Sequence, residues 1–122
     1  MTGAQWRKLA CSLPDSEEKS HFGQPDFRVR NKIFAGMSPD GKQGTLKLPP
    51  EFQSILVASK PKVFSLAAGA WGVKGWTHVV LANLDAAMAP ELLKTAWSMV
   101  APKTLVAAHS GATRLKQHKT RR

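Results

Sequence analysis

The chain has 122 residues, of which 43% are hydrophobic, and this length and composition suit one domain with a single core. Eighteen Lys and Arg against eight Asp and Glu give a net charge of +10, which favours polyanionic partners such as nucleic acid or an anionic membrane surface. One cysteine, Cys11, excludes an internal disulfide and a zinc site of the CxxC type, and the longest uncharged run, 11 residues, is shorter than the roughly 18 that span a bilayer.

The amino-terminal segment predicts a helix over residues 3–13. Thr2 and Gln5 fit a capping box, and apolar residues then recur at helical spacing up to Pro14. This segment is not a basic leader followed by a long apolar core, so we expect a soluble cytoplasmic protein that makes no membrane contact. Residues 15–19 are interpreted as a polar connection, and residues 20–25 as a short edge strand or an irregular entry to the next element.

Residues 26–47 predict two β-hairpins in succession. Apolar and basic residues alternate before Asn31, and Ser-Pro-Asp-Gly at 38–41 is a turn, since proline presets φ and glycine accepts a positive φ. The first turn has either two residues, 30–31, or three, 30–32. The three-residue loop, which we prefer, places on one face Phe27, Val29, Ile33 and Ala35, whereas the two-residue loop adds Lys32 to the Phe27 face.

The second half predicts two helices that begin at prolines, over residues 50–59 and 90–101, and strands at 63–66 and 76–84. Because the strands are clustered, the fold class is α+β: a single domain with an antiparallel sheet and helices packed on one face. That domain comprises residues 1–108. Residues 109–122 carry five of the ten excess charges and one large apolar residue, which predicts a basic tail that is disordered on its own.

Four blocks, HFGQPDFRVRNKIFA, LKLPPE, AWGVKGWTHVVL and ELLKTAWSMVAPK, in this order and at these separations, resemble the MmcQ/YjbR family over about residues 9–106. The resemblance implies a frataxin-like (CyaY-like) α+β fold with a double-wing motif, in a family commonly labelled as predicted DNA-binding. It implies no catalytic residues. Asn31 departs from the glycine expected in the tight turn of the family, but asparagine can adopt the same backbone.

The hairpins, the stretch at 69–76 and the tail supply the predicted nucleic-acid-binding residues, whose charged groups would displace counterions from phosphates. The alternative for the hairpin residues is an ordinary solvated sheet face. The predicted set is Arg28, Arg30, Lys32, Lys42, Lys47, Lys74, Arg114, Lys116, Lys119, Arg121 and Arg122.

The glycine-rich stretch at 69–76 matches neither a Walker loop nor the dinucleotide fingerprint, and is interpreted as a hairpin or a flexible connection. Trp71 could stack on a base with Lys74 beside a phosphate. Trp76, by contrast, is expected to anchor the core, as are the two tryptophans on apolar helix faces, Trp6 and Trp97.

No constellation of residues predicts catalysis. Cys11 is expected to be an inert, partly buried thiol, and His21 and His78 could approach one another but provide no third ligand for a metal. We therefore expect no enzyme activity, no cofactor and no metal. The first hypothesis is a non-enzymatic DNA-binding protein, and the alternative is a module that binds a small molecule or a protein through the sheet surface and the 69–76 loop.

Overall fold

The structure, a computed structural model, describes residues 1–109. Four helices and six strands follow one another along the chain, with two short 3₁₀ turns between β6 and α4. In chain order they are α1 (Gly3–Cys11), β1 (Ser16–His21), β2 (Gln24–Val29), β3 (Lys32–Met37), β4 (Gln43–Lys47), α2 (Pro50–Ser59), β5 (Phe64–Leu66), α3 (Ala70–Val73), β6 (Trp76–Val80) and α4 (Ala89–Val100). Residues 103–109, for which the sequence predicted no element, are helical as well.

The six strands form one antiparallel sheet in the order β1-β2-β3-β4-β6-β5. Helices α1 and α4 pack on the same face of this sheet, where the Trp6 ring lies against Gly44. Helix α2 joins that face through Gln53, whose amide donates to the buried Thr77 hydroxyl at 3.0 Å. The predicted class, a single α+β domain with an antiparallel sheet, is confirmed.

The core contains two of the three tryptophans that were predicted to be internal. Trp6 and Trp97 are fully buried, and each indole N–H donates to a backbone carbonyl, that of Gly36 at 3.0 Å and that of Pro14 at 2.9 Å. These bonds satisfy the polar atom that a buried tryptophan carries with it. The two rings therefore fix α1 and α4 over the centre of the sheet.

Strand β1 corrects the prediction of a polar connection at residues 15–19. Ser16 to His21 pair with β2 along their whole length, after Asp15 has turned the chain with a φ of 57°. Five of its six residues are exposed, so the strand has no buried face and no hydrophobic alternation. It is a solvated edge strand, which the period-2 pattern of apolar residues cannot reveal.

The first hairpin has the two-residue turn, so the preferred three-residue loop was wrong. Val29 pairs with Lys32, and the turn residues Arg30 and Asn31 both have positive φ, 50° and 67°, as a type I′ turn requires. Phe27 nevertheless pairs with Ala35, because a β-bulge makes Phe34 an extra residue on β3. Phe34 is buried in the core.

The bulge also separates the four residues predicted to share one face. Ile33 pairs with Arg28 and lines a cleft on the uncovered face of the sheet, while Phe27 and Val29 are fully buried. The second predicted turn and the capping box are confirmed: Gly41 has a φ of 72° and donates to the Ser38 carbonyl at 2.9 Å, and Thr2 and Gln5 exchange both bonds.

In the second half, α2 begins and ends as predicted and α4 lies one residue earlier than predicted, at Ala89–Val100. The strand predicted over residues 76–84 ends at Val80 and continues as a 3₁₀ turn. The reason is that its partner β4 begins at Gln43, opposite Val80, so no ladder partner remains beyond that point. Within residues 1–109, no helix has the length and apolar character needed to cross a membrane.

Candidate functional site

A basic groove of about 470 Å³ lies at one end of the sheet, beside the β2–β3 turn. It is bounded by the last turn of α4 and by the segment that follows it, and no acidic residue lines it. We call this the basic groove; it is lined by Arg30, Lys32, Lys47, Met99, Val100, Ala101, Pro102 and Lys103. Four basic residues from three separate segments therefore line one groove.

Local structure explains how each lysine reaches the groove. Lys32 follows the two-residue turn and shares the Val29 side of the hairpin, toward the helices. Lys47 is the last residue of β4, and Lys103 follows Pro102, just beyond the end of α4. Lys103 was not among the predicted residues, because its approach to the hairpin depends on how α4 packs against the sheet.

The two predicted arginines of the first hairpin are already bound by carboxylates. Arg28 donates to both oxygens of Asp26, at 2.7 and 3.1 Å, and also to the side-chain oxygen of Asn31 at 3.1 Å. The hydrogen bond to Asp26 raises the pKa of Arg28 above its ordinary value. Arg30 donates twice to one oxygen of Asp15, at 3.1 and 2.9 Å.

The remaining arginine of the described chain is paired too, since Arg7 lies 2.8 Å from Glu18. The groove lysines differ in this respect: within residues 1–109, Lys32, Lys47 and Lys103 have no carboxylate at ion-pairing distance. A lysine without a partner can give its charge to a ligand without breaking an existing ion pair. The groove is therefore a lysine site, with Arg30 already engaged at its rim.

The other predicted hairpin and loop residues lie outside the groove. Lys42 precedes β4 and lies in the β3–β4 turn, at the end of the sheet opposite Lys32, since β3 runs between the two turns. Lys74 lies just before β6, whose first residue, Trp76, pairs with Lys47. The predicted tail residues, Arg114, Lys116, Lys119, Arg121 and Arg122, lie outside the described residues.

A second cavity, of about 340 Å³, lies on the uncovered face of the sheet. Its lining includes Gln43, Trp76 and His78, together with His21 from the outermost strand, β1. The Gln43 amide nitrogen lies 3.0 Å from Nδ1 of His78, which orients the imidazole. We call this the sheet cleft. Trp76 lines it and is only partly buried, so the prediction that Trp76 anchors the core was wrong.

The two histidines do line one cleft, as the sequence suggested, but no metal site follows from this. Within the part of the chain that the structure describes, no group of three or more His, Cys, Asp or Glu residues is placed to hold a metal ion. His21 instead makes an edge-to-face contact with Phe22, with ring centroids 4.5 Å apart. The cleft therefore offers hydrogen-bonding groups and an indole surface rather than a charged cluster.

The 69–76 stretch contains a short helix where the sequence predicted a hairpin or a flexible connection. Helix α3 begins after Gly69, whose φ of 61° is the left-handed region that glycine accepts. A Cβ on Gly72 would lie 2.2 Å from the Ala67 carbonyl oxygen, and one on Gly75 would lie 2.0 Å from that of Leu48. The chain thus folds back tightly on itself, and Trp71 projects from it with 63% of its surface exposed.

Cys11 is exposed, which corrects the prediction of a partly buried thiol. Partial desolvation, and to a smaller extent the Glu18 carboxylate, raises the pKa of the Cys11 thiol above its ordinary value, and the nearby Arg7 opposes this without cancelling it. A raised pKa lowers the fraction of reactive thiolate at neutral pH. Although the thiol is exposed and lies near Arg7, its raised pKa disfavours the thiolate that an activated nucleophile needs.

The chain matches a known protein family and is similar in fold to solved structures. A family profile described as YjbR matches residues 11–99. The fold is similar to that of a Deinococcus radiodurans protein whose crystal structure is described with the domain DUF419. The two chains are 24% identical, the TM-score is 0.74, and the match covers 84% of this chain and 80% of that one. A Pseudomonas syringae protein from a structural genomics consortium has a TM-score of 0.60 and 20% identity, covering 81% of this chain and 98% of that one. A search of curated proteins gives no match.

Proposed function

The chain belongs to the YjbR family, and from that premise we propose that it is a non-enzymatic DNA-binding protein that holds phosphates through the basic groove and through its basic carboxyl-terminal residues, 109–122. The proposal includes the frataxin-like shape and the double-wing motif that the family resemblance implies. Its first wing is the β2–β3 hairpin, which carries Arg30 and Lys32. Its second wing is the β3–β4 turn, which carries Lys42.

The observation that carries the proposal is the convergence of unpaired lysines. Lys32, Lys47 and Lys103 line one groove without an acidic neighbour in that lining, so their charges reinforce one another. Each phosphate that a lysine neutralises releases condensed counterions, and the logarithm of affinity then falls by about 0.9 per contact for each unit of log salt. The groove alone would therefore give a slope of about −3 on duplex DNA.

The pairing of the arginines limits what such a protein can recognise. The commonest base-specific contact is a bidentate arginine on guanine, which needs two free N–H groups along one guanidinium edge. Arg28 donates from Nε and Nη2 to Asp26 and from Nη1 to Asn31, and Arg30 donates from Nε and Nη2 to Asp15. Phosphate contacts by lysines position a protein on DNA but read no sequence. We therefore propose binding with low sequence specificity.

The distance between the wings sets how they meet DNA. The six residues of β3 separate the two turns, which places the tips about 20 Å apart at about 3.3 Å per residue. They point to opposite ends of the sheet, because consecutive hairpins that share a strand always do. The second wing, with Lys42, would therefore contact phosphates well away from those held in the groove.

The experiment compares two triple variants that remove equal charge. Lys32, Lys47 and Lys103 are changed to Ala in one, and the exposed lysines Lys8, Lys60 and Lys62 in its control. With random-sequence duplex DNA at several salt concentrations, the groove variant should lose most of its affinity and about 3 units of salt slope, while the control keeps most of both. Equal losses in the two variants would show that affinity depends on net charge alone and that the groove makes no particular contribution to binding.

A chain that ends at residue 109 tests the second part of the proposal, and it keeps the edge-to-face contact of His109 with Trp97. It lacks five basic residues, so its binding should weaken to a similar degree for all sequences and its salt slope should be shallower, while thermal melting stays nearly unchanged. An unaltered salt slope would show that residues 110–122 make no phosphate contact.

The sheet cleft favours a second candidate, a site for a small molecule. Its volume of about 340 Å³ lies within the range of about 300–1,000 Å³ that is usual for ligand pockets. Gln43 and His78 provide polar groups beside the Trp76 indole, which is the combination such sites use to orient a ligand. A thermal-shift screen against small aromatic and polar compounds tests it: a true ligand should stabilise the wild type but not the Gln43→Ala variant.

A further inference from the structure

Trp71 is the most informative exposed residue outside the two cavities. With 63% of its surface in water, it is a large aromatic side chain that contributes little to the core. Exposed aromatic residues held on an ordered backbone are typical of binding contacts, because the ring offers a large area at a small cost in conformational entropy.

The backbone beneath Trp71 is constrained by contacts that only glycine permits. Gly72, the next residue, packs its Cα side against the Ala67 carbonyl oxygen, and Gly75 packs against the backbone of Leu48. The Leu48 N–H donates to the Gly75 carbonyl at 2.9 Å, which ties this segment to the end of β4. Helix α3 therefore presents the ring from a fixed position rather than from a loose loop.

The charges around the ring favour an anionic partner. The Lys74 ammonium lies over one face of the Trp71 ring, 5.8 Å from its centre, so a base would stack on the opposite face. Lys47 is the residue before Leu48, where the segment is tied to β4. Neither lysine has a carboxylate at ion-pairing distance within residues 1–109. An aromatic ring beside unpaired lysines matches the way single-stranded nucleic acid is bound, with bases stacked on rings and phosphates held by cations.

We infer that Trp71 and Lys74 form a site for an unpaired base and its adjacent phosphate. The partner of the end of the sheet that carries the basic groove is then single-stranded nucleic acid or a duplex with an unpaired segment. This inference rests on the proposed function, since it names the form of nucleic acid that the same end of the molecule takes. A base within a duplex is already stacked between its neighbours and cannot cover the indole. Stacking depends on the flat face that every base has, so this site adds affinity without sequence preference.

The test uses two labelled strands with the same phosphates, an oligothymidine of about 10 nucleotides and an abasic strand of equal length. The wild type should bind oligothymidine about fivefold or more tightly than the abasic strand, since that is the smallest contribution expected from one stacked base. Trp71→Ala should abolish this preference and leave the affinity for the abasic strand unchanged. Trp71→Phe, which keeps a ring, should retain part of it.

Val73→Ala is the matched control, because Val73 lies on the same short helix with 78% of its surface exposed. This variant should bind both strands as the wild type does. An unchanged affinity of Trp71→Ala for oligothymidine would overturn the inference, as would equal losses on both strands. If Trp71→Ala and Val73→Ala instead both abolish a self-association seen by sedimentation, the patch is a protein contact and the inference is wrong. A wild type that binds neither the strands nor a duplex refutes the proposed function itself.

Discussion

The core and the basic groove are built from the same strands but are specified in different ways. Phe27 and Leu46 are enclosed on all sides, so their positions are fixed by packing against Trp6 and its neighbours. Lys32 and Lys47, on β3 and β4, are placed by the backbone alone and touch no carboxylate of residues 1–109. One strand can thus contribute to the core and to the proposed binding surface, and substitutions should separate the two.

Phe27→Ala tests the structural side with the largest expected effect. Removing a fully buried ring from a well-packed core lowers the free energy of unfolding by about 3–5 kcal/mol. Denaturant titration measures this loss, and DNA affinity measured where the variant is still folded should match that of the wild type. A folded variant with weakened DNA binding would show that the core and the groove are coupled.

Gly44→Ala tests the packing of the same core by adding a methyl group where there is no space for it. A Cβ at this position would lie 2.8 Å from the ring of Trp6, which its bond to the Gly36 carbonyl holds in place. We expect a loss of about 1–3 kcal/mol in the free energy of unfolding, again without a change in DNA affinity. Gly36→Ala is the control, because its nearest contact is an ordinary 3.4 Å; equal destabilisation of the two would contradict the steric explanation.

Much of the core side of this comparison could be predicted from the sequence. The capping box at Thr2 and the prolines that begin α2 and α4 are local signals, and they predicted three helices to within about two residues. The bulge at Phe34 could not be predicted in this way, because it depends on which partner residue the sheet selects. Strand β1 lacks an apolar face and so lacks the signal altogether.

The groove was predictable only in part, for a related reason. Charge on the two hairpins pointed to Lys32 and Lys47, which the structure brings to one groove. It also pointed to Arg28 and Arg30, because a sequence does not show that Asp26 and Asp15 will bind them. Lys103 joins through the packing of α4, a contact between distant segments. Surface function depends on such juxtapositions, whereas local structure does not.

Arg28→Ala tests whether a charged side chain of the first hairpin stabilises the fold rather than contacting DNA, since Arg28 is bound to Asp26. Asp26 is 5% exposed and would lose the bidentate partner that compensates its burial, so the variant should be less stable but should bind DNA nearly as the wild type does. Adding Asp26→Asn should recover part of the lost stability. A large loss of DNA affinity with unchanged stability would show instead that Arg28 contacts DNA.

The smallest effect is expected at Asp40, which lies in the β3–β4 turn and belongs to neither the core nor the basic groove. Hydrogen bonds from the Ser38 hydroxyl and then from the Lys42 N–H lower the pKa of Asp40 below its ordinary value of 3.8. A lowered pKa in the folded state means that the charged form contributes stability above that ordinary value and that the contribution is lost as pH falls through the lowered pKa. Asp40→Ala should therefore melt slightly earlier than the wild type at neutral pH, and the difference should vanish in strong acid. A difference that persists there would exclude the carboxylate as its cause.

Strand β1 has a further consequence, for how copies of the chain behave toward one another. It is the outermost strand of the sheet, and an outermost strand exposes N–H and C=O groups that could extend a sheet into a second molecule. Here that edge carries Glu17, Glu18 and Lys19, all exposed, and intermolecular pairing would strip water from them. The opposite edge, β5, has only three residues. The strand that is hardest to recognise in the sequence thus protects an open six-stranded sheet from aggregation.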